Sequence, residues 1–339
     1  MTEPATAIVL YRLPPAFGLP SLSVACVQVE AYLRLAKLPF AVQDCTAPSA
    51  SPTGQVPALD TSADLVGAEV SSAVAAPLAE FGAARQMLDY IEEKMVDLDR
   101  HLSVSQRAEA TAFTALVEAK LQPAIVYTTW VEADAFSQHT CAAYAGGMPF
   151  PLSYFMPRSQ RRAVQRHFAA TPSAQVYQGA ADALDALAIR LSANASATSA
   201  GDFFFGSQPS SLDALLYSCL AYLRAAPVVH PQLQRKLAGH RVLTAYCDRV
   251  SQLADFDSTV PAAADANLGW SAWGGGTTDD QFSKAKSEQE SELQRKGRRW
   301  LACAAAAIAA YVFLSGQYYP FSIERFGYYE DLEEEEEEH

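Results

Sequence analysis

At 339 residues, half of them apolar, the chain holds enough hydrophobic material for one large core or two modest ones. Its net charge of −13 lies largely at one end: Glu330, Asp331 and Glu333 to Glu338 carry eight negative charges, leaving −5 for the rest. Neither balance suits nucleic-acid binding, which needs clustered Lys and Arg to displace phosphate counterions.

Met1 to Ala7 contains no basic residue and no long apolar run follows, so neither a secretory signal nor an Arg-rich presequence is expected. Ala7 to Tyr11 is β-prone. Leu22, Cys26, Val29, Leu33 and Ala36 then recur at three- and four-residue steps, the inner face of a helix that Pro39 should stop. Phe40 to Gln43 resumes an extended run, and after a Pro- and Ser-rich loop come the short strands Gln55–Leu59 and Asp64–Val66. A helix is expected from Ala68. A βαβ unit followed by two strands and a helix is the thioredoxin-like order. From about Leu88 the pattern is helical, and Ser210 with Asp213 three positions on, before the apolar run Ala214 to Leu223, has the spacing of a capping box.

Beyond residue 256 a small-residue stretch, a Gly-rich break at Gly274 to Gly276 and a charged segment to Arg299 read as linker and charged helix. Trp300 to Leu314 is then free of charge, extended to Tyr319, and preceded by Arg295, Lys296, Arg298 and Arg299. About twenty residues is what a helix needs to span a bilayer. The basic flank and the aromatic ends predict a membrane anchor, with Trp300, Ile308, Tyr311, Val312, Phe313 and Leu314 facing lipid and the preceding domain on the cytosolic side. The final Glu run should stay disordered.

The six cysteines (Cys26, Cys45, Cys141, Cys219, Cys247, Cys303) are scattered, with no CxxC pair and no clustered histidine. Neither a zinc site nor a disulfide framework is expected, and most read as small buried hydrophobes in a reducing compartment. No cofactor is expected either.

Val56-Pro57-Ala58-Leu59 resembles the strand start of the glutathione S-transferase fold, whose proline is cis, and Ser210-Ser211-Leu212-Asp213 resembles the capped core helix of that family's C-terminal domain. The implied architecture is α+β and glutathione S-transferase-like: an N-terminal thioredoxin-like domain (1–80), an all-helical domain (81–256), a linker with a charged helix (257–299), a single transmembrane helix (300–319) and an acidic tail (320–339). That family activates glutathione with a Tyr, Ser or Cys near the first helix, for which the candidates are Tyr11, Ser21, Ser23 and Cys26. Pro14, Pro15 and Pro20 crowd that connection, and the Glu-Ser pair that anchors glutathione is replaced by Ala68-Glu69-Val70-Ser71, so catalysis is not expected.

A narrower resemblance is to the metaxins. It rests on Glu118 to Pro123 followed by Val126 to Trp130, on Asp202 to Asp213, on Leu243 to Cys247, and above all on Met148-Pro149-Phe150-Pro151-Leu152-Ser153-Tyr154-Phe155-Met156-Pro157. Three prolines among aromatics predict a rigid apolar segment between helices, serving either interdomain packing or partner contact through Met148, Pro149, Phe150, Pro151 and Phe155. The resemblance implies a non-enzymatic subunit of the mitochondrial outer-membrane sorting and assembly machinery, supporting insertion and release of β-barrel proteins. Its implied partners are the β-barrel insertase, a second metaxin-like subunit, β-barrel precursors and the lipid bilayer. The bulk would face the cytosol, with the tail in the intermembrane space. A membrane-tethered glutathione-dependent transferase, or a tail-anchored tether in another outer-membrane complex, are the alternatives.

Overall fold

The computed structural model describes residues 8–61, 64–67, 76–146, 148, 152–195 and 201–256. The described residues all belong to one compact unit. The anchor residues Trp300, Ile308, Tyr311, Val312, Phe313 and Leu314 lie outside the described residues; among those described, no helix is long and apolar enough to cross a membrane.

Four short strands, β1 (Ile8–Arg12), β2 (Phe40–Asp44), β3 (Ala58–Asp60) and β4 (Leu65–Val66), form one sheet in the order β2-β1-β3-β4. β1 pairs in parallel with β2 and antiparallel with β3, as the thioredoxin-like reading requires. The Val56–Pro57 peptide bond that leads into β3 is cis.

The crossover between the parallel strands is α1 (Val24–Leu35), with Ser23 as its N-cap. Eleven of its twelve residues are buried, so the helix is covered all round rather than on one face. Its neighbours are α2 (Ala76–Lys94) and α9 (Ser211–Ala225). The helix ends before Pro39. Lys37 adopts a left-handed φ of 55°, its N–H donates to the Arg34 carbonyl at 3.0 Å, and the Leu38 N–H reaches the Leu33 carbonyl at 3.0 Å. This is a Schellman closure built without glycine.

α2 runs through residue 80, where the first domain was expected to end. The onset expected at Ala68 falls on residues outside those described. Tyr32 then ties the connection that follows α2 to the first half of the fold: its hydroxyl donates to the Val96 carbonyl at 2.8 Å and accepts the Leu98 N–H at 3.2 Å.

The helical half opens with α3 (Val104–Leu116). It continues without a break through wide π-type turns at Val117–Leu121 and Tyr127–Val131, on either side of α4 (Gln122–Val126), which carries Pro123. After the short α5 (Ala133–Ala135) and α6 (Cys141–Ala145) come α7 (Leu152–His167), α8 (Ser173–Ala195), α9, α10 (Pro231–Gly239) and α11 (Arg241–Leu253). α9 is the central helix, buried from Leu212 through Leu223. The sheet, α1, α9 and the surrounding helices share one continuous apolar core. A thioredoxin-like sheet joined to an all-helical half is the glutathione S-transferase-like arrangement. The five cysteines among the described residues are all unpaired thiols, four of them buried.

Candidate functional site

Three places were marked by sequence, and the structure treats the first two in opposite ways. The first is the N-terminus of α1, where a transferase would hold its nucleophile. From β1 the chain turns through Phe17 and Gly18, both with positive φ, and reaches Ser21 and Ser23, which are 0% and 2% exposed. Ser23 accepts the Cys26 N–H at 3.4 Å and donates its own hydroxyl to Glu80 of α2 at 2.6 Å. Cys26 is wholly buried, in an apolar cluster with Leu13, Leu22, Cys45 and Val56, the residue before the cis proline. Burial pushes the Cys26 thiol up to about 12, and the Glu80 carboxyl adds to the shift. A nucleophilic cysteine needs the reverse, a depressed pKa and access. Tyr11 is half-buried in β1 and is not hydrogen-bonded to any of them among the described residues. The four candidates therefore converge on a packed, capped helix start, with the more buried three closed off from substrate.

Glu80, which no local sequence signal marked, is the titratable group of this corner. Burial raises its carboxyl from the ordinary 4.5 to about 7, against the pull of the Ser23 hydrogen bond. Between those values the folded chain holds a proton that the unfolded chain has lost, so stability falls as pH rises through that window. Glu80→Gln keeps an acceptor for Ser23 and removes the charge. Because Glu80 is only partly shielded from water, the expected gain is discounted to about 1–2 kcal/mol at pH 8. It should vanish near pH 4.5, as thermal unfolding at the two pH values would show.

The second region is the proline- and aromatic-rich motif. Pro149, Phe150 and Pro151 lie outside the described residues, and Met148 is half-buried in a turn whose N–H reaches the Ala145 carbonyl at 3.0 Å. The remainder corrects the sequence reading. Leu152 to Pro157 is not a segment between helices but the start of α7. Pro157 sits inside the helix and is one of its two buried residues with Val164, so packing overrides the local preference against proline.

That burial turns the other side chains outward. Leu152, Tyr154 and Phe155 are 51%, 50% and 61% exposed, with Met156 beside them at 38%. The Tyr154 and Phe155 rings meet edge to face at 5.2 Å, and the Arg158 guanidinium lies 3.9 Å over the Tyr154 ring and donates to its carbonyl at 2.9 Å. Four large apolar or aromatic side chains within five residues of one helix start, braced by a cation, form a preorganised protrusion. Phe155, one of the five residues expected to serve either interdomain packing or partner contact, is part of it. Leu152, Tyr154 and Met156 were within the quoted motif but not singled out as contacts. From Arg158 to Arg166 the same helix carries four arginines and no acid, two of them (Arg162 and Arg166) exposed.

The third marked pair, Ser210 and Asp213, lies in the core. Asp213 is wholly buried and accepts the Ser210 N–H at 2.8 Å, as a capping box has it. It also accepts the Ser210 hydroxyl at 2.6 Å, the Phe204 N–H at 2.8 Å and the Tyr246 hydroxyl at 2.5 Å. The carboxylate thus joins the segment before α9 to α11. No cluster of His, Cys, Asp or Glu able to hold a metal occurs among the described residues.

Comparison with known proteins matches residues 26–161 to a family described as outer mitochondrial membrane transport complex protein, and residues 180–250 to the glutathione S-transferase C-terminal domain. Metaxin-1 of Sus scrofa is 31% identical, with 92% of this chain and 91% of that protein covered. Metaxin-3 of Xenopus laevis is 30% identical over 74% of this chain and 80% of its own length. Among solved structures, a glutathione transferase from Phanerochaete chrysosporium is 17% identical and covers 74% of this chain and 97% of its own, with a TM-score of 0.47.

Proposed function

The chain belongs to the metaxin family, and from that premise we propose that it is a non-catalytic subunit of a protein-transport complex of the mitochondrial outer membrane. In this reading it docks on the membrane-embedded β-barrel insertase and on a second metaxin-like subunit, and supports insertion and release of β-barrel precursors. The matched family description, outer mitochondrial membrane transport complex protein, supports the compartment and the class of complex. The observation that carries the reading is the protruding apolar start of α7. Adjacent exposed apolar side chains rimmed by charge are a mark of contact sites. At the other marked place, burial of Ser21, Ser23 and Cys26 speaks for assembly over chemistry.

The same reading places the uncharged stretch Trp300 to Leu314 in the bilayer, the residues before it in the cytosol and the acidic tail across the membrane. The division expected from sequence, with boundaries at 80, 256, 299 and 319, belongs to this proposal.

The test is affinity purification from mitochondrial membranes in mild detergent, comparing the natural chain with Phe155→Glu. Phe155 is 61% exposed, so the substitution should leave the unfolding temperature unchanged. A buried aromatic anchor at an interface is worth about 2 kcal/mol or more, so recovery of the insertase should fall roughly thirtyfold. Undiminished recovery would remove the α7 face from the interface. Absence of the insertase with the natural chain itself would overturn the reading.

A further inference from the structure

A cleft of about 220 Å³ opens between α1, α2, α3 and the start of α9. It is smaller than the roughly 300–1,000 Å³ of sites for drug-sized ligands, and about right for one side chain. Two of the polar groups lining it have no work inside the protein. Gln28 of α1 is 4% exposed, and its amide makes no hydrogen bond among the described residues. Its amide is not among the fully enclosed polar atoms that lack a partner, so within a buried residue it is the amide that meets the space of the cleft. Glu92 of α2, half-buried in the same cleft, has neither a hydrogen bond nor a salt bridge among the described residues.

The other charged groups there are committed. Arg85 pairs with Glu118 at 2.8 Å and with Asp89 at 3.4 Å. The Asp99 carboxylate accepts the Ser211 N–H at 2.8 Å and its hydroxyl at 2.5 Å, capping α9. Arg107 donates to the Asp99 carbonyl at 3.2 Å. Four acids facing two arginines leave the cleft negative, with the uncompensated charge at Glu92. Where the cleft meets solvent, beyond Arg107 and Thr111, a shallow apolar shelf carries Leu102, Ala108 and Val104, the last 90% exposed.

We propose that this cleft is a recognition site for an arginine side chain of a partner polypeptide, held between the Gln28 amide oxygen and the Glu92 carboxylate. A planar guanidinium can donate to both acceptors at once, which a compact ammonium or an inorganic cation matches less well. The shelf gives a neighbouring apolar side chain of the same segment somewhere to lie, which a free small cation would not use. None of these residues belongs to the α7 face, so the site stands or falls separately from the proposed role there.

The charge on Glu92 supplies a pH signature. Burial raises its carboxyl to about 7, with Asp99, Asp97 and Asp89 adding to the shift and Arg85 opposing it. Arg107 and Glu118 on the facing helices complete the charged surroundings. Glu92 is therefore largely protonated at pH 6 and ionised at pH 8, so binding should tighten between the two.

The test uses the full chain in mild detergent and a fluorescent ten-residue alanine-based peptide carrying one leucine and one arginine, with its citrulline counterpart as the uncharged isostere. Saturable binding of the arginine peptide is expected by anisotropy, about tenfold tighter than the citrulline peptide and tighter at pH 8 than at pH 6. Glu92→Gln should weaken it about tenfold and flatten the pH dependence, with any contribution of the acidic tail held constant across variants. Gln28→Leu should abolish binding while leaving the unfolding temperature unchanged or raised, because the amide faces the cleft and makes no hydrogen bond among the described residues. Equal affinity for the citrulline peptide, or Glu92→Gln binding like the natural chain, would overturn the proposal. So would a fall in unfolding temperature for Gln28→Leu, since it would show the amide already bonded within the fold.

Discussion

Replacing Glu30 with alanine should destabilise the chain by about 3–5 kcal/mol, the usual cost of stripping one partner from a buried ion pair. Glu30 is fully buried in α1 and meets the guanidinium of Arg12 from β1 on one side. On the other it accepts from Arg34 at 2.8 and 3.0 Å. Arg12 is 8% exposed; among the described residues its other carboxylate partner is Asp44 of β2, at 2.9 Å. Desolvation alone would lower the Arg12 pKa, but the carboxylates of Glu30 and Asp44 outweigh it and raise it, so the cation relies on them. Arg34 carries the network onward. It donates to the carbonyls of Ala254 and Asp255 at 3.4 and 3.3 Å and lies 4.8 Å over the Phe256 ring, so one carboxylate couples the sheet, α1 and the end of α11.

Thermal unfolding of the chain in mild detergent, followed by far-UV circular dichroism, should show Glu30→Ala melting about 10 °C lower. The double change Arg12→Met with Glu30→Leu should recover more than half of that loss. It removes both buried charges together, while Asp44 is left exposed to water and Arg34 keeps its carbonyl and ring contacts. If the double change stayed as unstable as Glu30→Ala, the buried pair would be supplying net stability rather than avoiding a penalty.

That network marks the limit of what the sequence discloses. α1 was legible because Leu22, Cys26, Val29 and Leu33 repeat with a helical period, and the sheet order because short β-prone runs alternate with it. The proline of Val56-Pro57 and the Ser210–Asp213 spacing were legible as local motifs. The partners that give these residues their energetic weight were not. Glu30 lies 18 residues from Arg12, Ser23 lies 57 from Glu80, and Tyr246 lies 33 from Asp213. Nothing in a periodicity or a short motif encodes such pairings; they exist only once the chain is packed.

The same holds for Gln28 and Glu92, which read in isolation as an interior polar residue and a surface acid. The start of α7 failed in the opposite direction. Three prolines predicted a segment between helices; α6 does end at Ala145 and α7 begins at Leu152, but Pro157 lies inside α7, buried with Val164 against the fold, and that packing decided the conformation from Leu152 on. The exposure of Phe155 and Tyr154 follows from it, so the most informative surface of the protein arises where local preference lost to tertiary contact.

Asp213 offers the sharpest test of how much a sequence motif understates a site. Were it only the N3 residue of a capping box, Asp213→Ala would cost about 1 kcal/mol, the usual loss for a helix cap. The structure gives the carboxylate four donors in a fully buried place. Alanine would leave the Phe204 N–H, the Ser210 N–H and the wholly buried Tyr246 hydroxyl without their acceptor. Each orphaned group costs about 1–3 kcal/mol, and local relaxation will rescue some of it, so a loss of about 4 kcal/mol is expected.

Asn is the discriminating replacement at that position, because it matches Asp in shape and supplies one acceptor and one donor. Its amide nitrogen must face either the Ser210 N–H and hydroxyl or the Phe204 N–H and Tyr246 hydroxyl. Asp213→Asn should therefore lose about 2 kcal/mol or more although it retains the size of the natural side chain. Burial raises the Asp213 carboxyl above its ordinary value despite those four donors. As pH rises through the interval between the ordinary and the raised value, the natural chain loses stability and the Asn variant does not. The gap between the two should accordingly narrow with rising pH. Denaturant unfolding of the natural chain, Asp213→Ala and Asp213→Asn at pH 4.5 and pH 8 would read both effects. A loss near 1 kcal/mol for alanine would return Asp213 to the status of a simple cap.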